Sequence, residues 1–353
     1  MSSLDPADWG AWRTLGHRML DDMFDHLAGQ GEGPVWQTMP AALRAELSAP
    51  LPRDPGDAAE AYERFRRLVL PYATGNLHPA FMGWVHGGGT AIGMLAELLA
   101  GGLNANLGGR DHAPIEVERQ VIAWAAEMLG FPATAAGVLV TGTSMANLIG
   151  VLTARTHRLG ADVRRSGIGG TRLSAYASTA AHGCIPRAME IAGIGRDALR
   201  LVRCDGAGRI RLDSLADTVA RDRRAGLTPF LVVGTAGTVD IGAVDDLAGL
   251  ARFCREEALW CHVDAAFGAI ALLARGCGRC WTGSPKPTRW GSISTSGRRF
   301  HTTPAASLPA APSRCWRPSP AMPPICGANR GGWRAAASGR ATLGRTCREA
   351  SAR

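Results

Sequence analysis

The strongest constraint on how this chain folds is a set of apolar runs that each end in small or polar residues. "RLSAYASTAAH", "FLVVGTAGTV" and "WCHVDAAF" are too continuously apolar for strands with one wet face. Runs of this kind belong in a parallel sheet buried on both sides, and parallel neighbours need a crossover, usually a helix. "DLAGLARFCREEAL", directly before "WCHVDAAF", reads as such a helix. A further run, "AGVLVTG", reads as another short strand that passes through Gly142, Thr143 and Ser144 into the helix "MANLIGVLTARTHR". The expected fold class is α/β, a mostly parallel sheet with helices on both faces.

Residues 1–75 read as a helical segment. "WGAWRTLGHRMLDDMFDHLAG" sets Trp12, Leu15, Met19, Met23 and Leu27 at three- and four-residue steps, an amphipathic stripe. A proline-rich loop, "SAPLPRDPGD", precedes a second helix, "AAEAYERFRRLVLPYA", which Pro71 stops. From Asn76 a loop and a glycine-rich turn lead into the apolar helix "AIGMLAELLAGG". "APIEVERQVIAWAAEMLGFP" then reads as a capped helix with an acidic first turn.

After Arg275 the alternation stops. Residues 276–353 hold 13 basic side chains, one acid (Glu349) and nine prolines, with no sustained periodicity, the composition of a disordered basic tail. The net charge of +9 comes from this tail, because residues 1–275 carry 26 basic and 29 acidic side chains. A slightly acidic body does not point to nucleic-acid binding, and no nucleic-acid partner is expected. No leader and no run of about 18 apolar residues is present, so the expected location is cytoplasmic, away from membranes. The cysteines before Arg275 are scattered and expected to be reduced. Cys277 and Cys280 form a C-x2-C with no second pair at zinc spacing, so no metal site is expected.

The strand ends carry the candidate chemistry. Gly142-Thr143-Ser144 opens a helix, where backbone N–H groups and hydroxyls make an anion site; an ordinary helix cap is the plainer alternative. Asp264 ends an apolar strand, the edge at which parallel sheets bind ligands; capping the next helix is the alternative. His182 follows a strand and precedes a helix, and a lone histidine there is more often structural. Thr235 and Thr238 lie in a glycine-rich loop, and Asp245 and Asp246 are expected to cap the helix after it.

The order of these blocks resembles the pyridoxal-phosphate enzymes of fold type I, and more narrowly the group II amino-acid decarboxylases. "PVWQTMP", "NLHPAFMGWV", "IEVERQVIAWAAEMLGFP", "LVTGTSMANL", "AAHGCIPRAMEIAG", "GTAGTVDIGAVDDL" and "LWCHVDAAFGA" are each similar to that family's blocks, over roughly residues 10–275. The resemblance implies pyridoxal 5'-phosphate as cofactor and decarboxylation of an L-amino acid to its amine as the parent activity. Other fold type I activities, an aminotransferase or a carbon–carbon lyase, are one alternative, and a non-catalytic protein of the same fold with a nucleic-acid-binding basic tail is another. It implies that Gly142, Thr143 and Ser144 hold the phosphate and that His182 stacks on the pyridine ring. Asp264 would pair with the ring nitrogen, Ala266 would pack under the ring, and Thr238 would line the pocket. His78, Pro79 and Phe81 would help form the substrate pocket. It also implies a homodimer through residues 1–75, a cofactor-binding large domain over 76–275, and a C-terminal small domain that is missing here.

The family's Schiff-base lysine, in a His-Lys-Trp block, has no counterpart. The sequence holds one lysine, Lys286, in "SPKPTRW". A shifted reading frame accounts for the surrounding block, though the His-Lys pair itself is missing from that frame too, so two further codons are expected to be lost or misread there. Joining the third base of each codon to the first two of the next, Ser292–His301 and the residues after it permit "DLDFWAQVPYDAG", where the family has a pattern like "DFHKWAQVPYDAG". Residues 276–353 are accordingly expected to be out of frame, and the chain as written to be inactive.

Overall fold

The computed structural model describes residues 5–83, 87–107, 111–132, 134–273 and 292–294. The first part is helical. α1 (Trp9–Ala28) starts at Asp8, whose carboxylate accepts from Gly10 N and Ala11 N. The short α2 (Ala41–Glu46) follows, then α3 (Ala58–Leu68), capped in the same way by Asp57. Pro71 sits in the 3-10 turn that ends α3, as its missing N–H requires. α3 lies against α1 through the Tyr62 hydroxyl, which donates to Asp22 at 2.7 Å, and through the Arg18–Glu63 ion pair. α4 (Ala91–Leu103) and α5 (Ala113–Met128) complete this part. The expected side-chain cap on α5 is not there: His112 holds the cap position without such a bond, and Pro114 in the first turn removes one N–H that a cap would serve.

The second part is layered. α6 (Thr143–Leu159) and the short α7 (Val163–Ser166) precede β1 (Leu173–Ser178). Then α8 (Cys184–Ile191), β2 (Leu199–Val202), α9 (Leu212–Arg224), β3 (Thr228–Thr235), α10 (Leu247–Glu256) and β4 (Trp260–Asp264) alternate. β5 (Ser292–Ser294) joins last. The sheet order is β2-β1-β3-β4-β5, with every pairing parallel. The connection after β1 leads outward to β2, whereas those from β2 to β3 and from β3 to β4 run the other way. With right-handed crossovers this reversal puts α8 on one face and α9 and α10 on the other. Side chains alternate accordingly. Leu231 and Val233 of β3 pack with Val151 of α6 and with Ile185 and Met189 of α8. Val232, with Val263 of β4, packs with Leu215 of α9 and Leu250 of α10.

Two readings of the sequence need correction here. "GVLVTG" is not a strand: Val138 is 56% exposed, and among the described residues no strand edge pairs with it. An apolar run becomes a strand only where a neighbour offers N–H and C=O groups to pair with. Three residues of the basic tail also depart from a structureless reading. Ser292–Ser294 pair with His262–Asp264 and continue the sheet past β4, because that edge offers an unpaired ladder.

Candidate active site

The reversal in connections falls between β1 and β3, and at such a point parallel sheets place ligands in a crevice outside the C-terminal ends of the strands. His182 lies in the turn after β1, Thr235 is the last residue of β3, and Asp264 is the last of β4. Thr235 and Asp264 are register partners, so their side chains share a face. It is the face of α6, which runs down the sheet: Asn147 near its start reaches Asp264, and Gly150 one turn later meets His262. Thr143 and Ser144 stand about one turn, roughly 5 Å, nearer the crevice than Asn147.

The start of α6 is open to a ligand. Gly142 takes the N-cap position at φ 120°, a conformation a side chain would strain, and no side chain caps the first turn. The N–H groups of that turn point at the crevice with the positive end of the helix dipole. The adjacent hydroxyls of Thr143 and Ser144 add donors.

Asp264 is buried at 5% exposure. Oδ1 accepts from Ala266 N at 3.2 Å and Oδ2 from Asn147 Nδ2 at 2.9 Å. The Cys184 thiol lies 4.0 Å from Oδ2. Burial first, then the nearby Asp264 charge, pushes the Cys184 thiol above its ordinary range, so it stays protonated. His262, two residues before Asp264 on the same face, is fully buried, and burial pushes its pKa down to about 4. His182 differs: it is exposed, and its Nδ1 accepts from Cys184 N at 3.2 Å.

The other expected residues divide. Ala266 is exposed beside Asp264. Thr238 is buried, and its hydroxyl accepts from Ala243 N at 3.0 Å, closing its own loop. Thr235 Oγ1 is buried with no hydrogen-bond partner among the described residues. Asp246 caps α10 as expected, accepting from Gly249 N at 2.9 Å. Asp245 does not: it is buried and accepts from Ile210 N and Thr235 N, each at 2.7 Å, tying the β3 loop to the segment before α9. His78, Pro79 and Phe81 form a turn closed by His78 Nδ1 accepting from Ala80 N and by Phe81 N donating to His78 O. No described hydrogen bond of the His78 side chain reaches the strand-end cluster. Lys286, Cys277 and Cys280 lie outside the described residues.

Sequence reading missed Asn147, Cys184 and His262. Only His262 carried a signal, since alternation along "HVD" puts it on the Asp264 face. Among the described residues no group of three or more His, Cys, Asp or Glu could hold a metal ion. No described helix is long and apolar enough to cross a membrane.

The chain is similar to known proteins over most of its length. The profile of the pyridoxal-dependent decarboxylase conserved domain matches residues 40–304. The chain is 33% identical over 267 residues to an aromatic-L-amino-acid decarboxylase of Bacillus atrophaeus, covering 74% of this chain and 54% of that protein. It is 30% identical over 282 residues to tyrosine decarboxylase 2 of Narcissus pseudonarcissus, covering 77% and 56%. The crystal structure of Oryza sativa TDC with PLP and tryptamine superposes with a TM-score of 0.69 at 26% identity, covering 77% of this chain and 58% of that one. The chain thus spans about half the length of the curated relatives it matches.

Proposed function

Because the chain belongs to the pyridoxal-dependent decarboxylase family, we propose that its strand-end crevice is a pyridoxal 5'-phosphate site. The parent reaction of that site is conversion of an L-amino acid to its amine and CO2. The observation that carries this reading is Asp264, buried at the end of β4 on the face of α6, whose first turn no side chain caps. The residues fit the cofactor. An uncapped helix start with two hydroxyls suits a phosphate, and a strand-end carboxylate suits a protonated ring nitrogen. Thr235 Oγ1 supplies a buried polar atom on the same face.

When bound, the cofactor supplies an electron sink for the pair released as the α-carboxylate leaves as CO2. The chain's own residues do the rest. Thr143, Ser144 and the backbone from Gly142 onward hold the phosphate. His182 lays its ring on the pyridine face, and Ala266 keeps the other side narrow. Asp264 accepts a hydrogen bond from the ring nitrogen and so keeps a proton there. Thr238 shapes the pocket through its loop. His78, Pro79 and Phe81 form the substrate side. In the reaction a proton takes the place of the lost carboxylate on the α carbon.

The lysine that anchors the cofactor in the family is absent from residues 1–275, and Lys286 stands outside any His-Lys-Trp block. We therefore take residues 276–353 to be out of frame and the chain as written to bind the cofactor without a covalent anchor and without turnover. The apolar faces of α1, α4 and α5 support a homodimer through the N-terminal helices, in the cytoplasm.

The test has two arms. Resequencing the gene across the codons for Ala265 to Ala306 is expected to restore a frame with a His-Lys pair before a Trp. The restored protein is expected to release CO2 and amine from a panel of L-amino acids. Keto acid or aldehyde as product would instead favour an aminotransferase or a carbon–carbon lyase. The chain as written is expected to release pyridoxal phosphate on dilution whether or not borohydride is added, because no aldimine in the crevice is there to be reduced to a stable amine. A phosphopyridoxyl group left by borohydride on a residue of the crevice would overturn the reading that no lysine serves the site.

A further inference from the structure

Asn147 is completely buried and joins three groups of the crevice. Its Nδ2 donates to Asp264 Oδ2 at 2.9 Å and to Cys184 Sγ at 3.1 Å, and its Oδ1 lies 2.7 Å from His262 Nε2. The polarity of this chain is forced. A carboxylate only accepts, so the amide must turn its NH2 toward Asp264. That leaves Oδ1 facing His262, and an amide oxygen only accepts, so His262 must carry its hydrogen on Nε2. His262 itself has a fixed seat. A Cβ on Gly150 would lie 2.6 Å from His262 Cε1 and 2.7 Å from Nδ1, so the ring is pressed against bare α6 backbone. Gly150 follows Asn147 by three residues, on the same helix face.

We propose that Asn147 is the positioning residue for Asp264, holding Oδ2 in place while His262, seated on Gly150, locks the amide in the one orientation that donates. The proposal rests on the reading of Asp264 as the partner of the ring nitrogen. It adds that the position of this carboxylate is set from α6, the helix whose start would take the phosphate. Both ends of the cofactor are then referenced to one rigid element. The second donor contact, to Cys184, extends the link to the turn carrying His182, since Cys184 N donates to His182 Nδ1.

The first measurement needs no cofactor. The full chain, labelled with 15N-histidine, is expected to show His262 as the Nε2–H tautomer between about pH 6 and 8, with the resonance assigned by its loss in His262→Gln. An Nδ1–H tautomer overturns the proposal whatever the chain binds. The second uses equilibrium dialysis with pyridoxal phosphate and with its analogue carrying CH in place of the ring nitrogen. Asn147→Leu, close in size and without polar atoms, is expected to weaken pyridoxal phosphate by about tenfold or more and to leave the analogue within about twofold. Equal weakening of both ligands would mean that the substitution only disturbs α6, and no weakening of either would mean that Asp264 is held without Asn147; each result overturns the proposal. Gly150→Ala is expected to lose the tautomer signature and to reproduce the selective weakening while leaving Asn147 and Asp264 in the sequence. If the unmodified chain binds neither ligand, the cofactor reading fails, and the tautomer still decides the Asn147–His262 link.

Discussion

The two parts of the molecule use the same kind of sequence pattern to different ends. In residues 143–273 each apolar stripe closes on another part of the chain: Leu215 of α9 and Leu250 of α10 are fully buried against β3 and β4. In residues 5–132 most of the stripes stay open, α3 with its buried Tyr62 and Leu68 being the exception. α1, α4 and α5 bury no residue, and Trp12, Leu103 and Trp124 are 53%, 71% and 54% exposed. Helical periodicity thus dictates which face is apolar and says nothing about what covers it. The N-terminal helices are held instead by polar links such as Tyr62–Asp22 and Arg67–Glu46. An apolar surface of this kind is the expected mark of an interaction face.

The sharpest way to break this contrast is a pair of truncations. Leu250→Ala should cost about 2–5 kcal/mol in denaturant unfolding, because it opens a cavity in a closed core. Leu103→Ala should stay within about 0.5 kcal/mol for the single chain, having no packing to lose. Equal costs would show that α4 is covered after all.

Acid should act on the sheet body next. His262 is buried neutral with its pKa lowered from 6.5 to about 4. Below the ordinary pKa the unfolded chain takes up a proton that the folded one refuses. Its contribution is therefore complete above about pH 6.5 and is lost as pH falls toward 4, by about 3 kcal/mol at most. Unfolding curves between pH 4 and 7 should show this slope, and His262→Gln should flatten it.

A third variant tests the buried polar network. Asp222 accepts from the buried Tyr176 hydroxyl at 2.9 Å and from Arg200 Nε at 3.1 Å. Asp222→Ala should cost about 2 kcal/mol by thermal or chemical unfolding, since it strips the Tyr176 hydroxyl of one of its two partners. The smallest effect belongs to the helical part: Asp57→Ala should cost about 1 kcal/mol, the usual worth of an N-cap, read as fraying at the start of α3 by hydrogen exchange. A larger loss there would mean that the N-terminal helices unfold together with the sheet.

Within the sheet body, legibility followed burial. β1, β3 and β4 were readable because each is rich in apolar and small residues and carries no carboxylate, lysine or arginine before its last position. β2, "LRLV", was not, since an arginine interrupts it and Leu201 is exposed at the sheet edge. α9, "LDSLADTVARDRR", was passed over because charged residues outnumber the few positions that anchor it. "GVLVTG" misled for the opposite reason, being apolar with no partner among the described strands. Asp246 was legible as a cap because a cap is a local bond. Asp245 was not, because its partners Ile210 and Thr235 come from two other segments.

The sequence by itself determined the alternation of buried strands and crossover helices, the strand end that carries Asp264, and the glycine-led start of α6. Each depends on interactions among residues a few positions apart, and those follow from periodicity and backbone chemistry. Only the tertiary structure decided that Asn147 meets both Asp264 and His262, 117 and 115 residues away along the chain. Bonds over such separations depend on how α6 lies across β4, and that crossing is set by the packing of the whole sheet face, which no local pattern encodes.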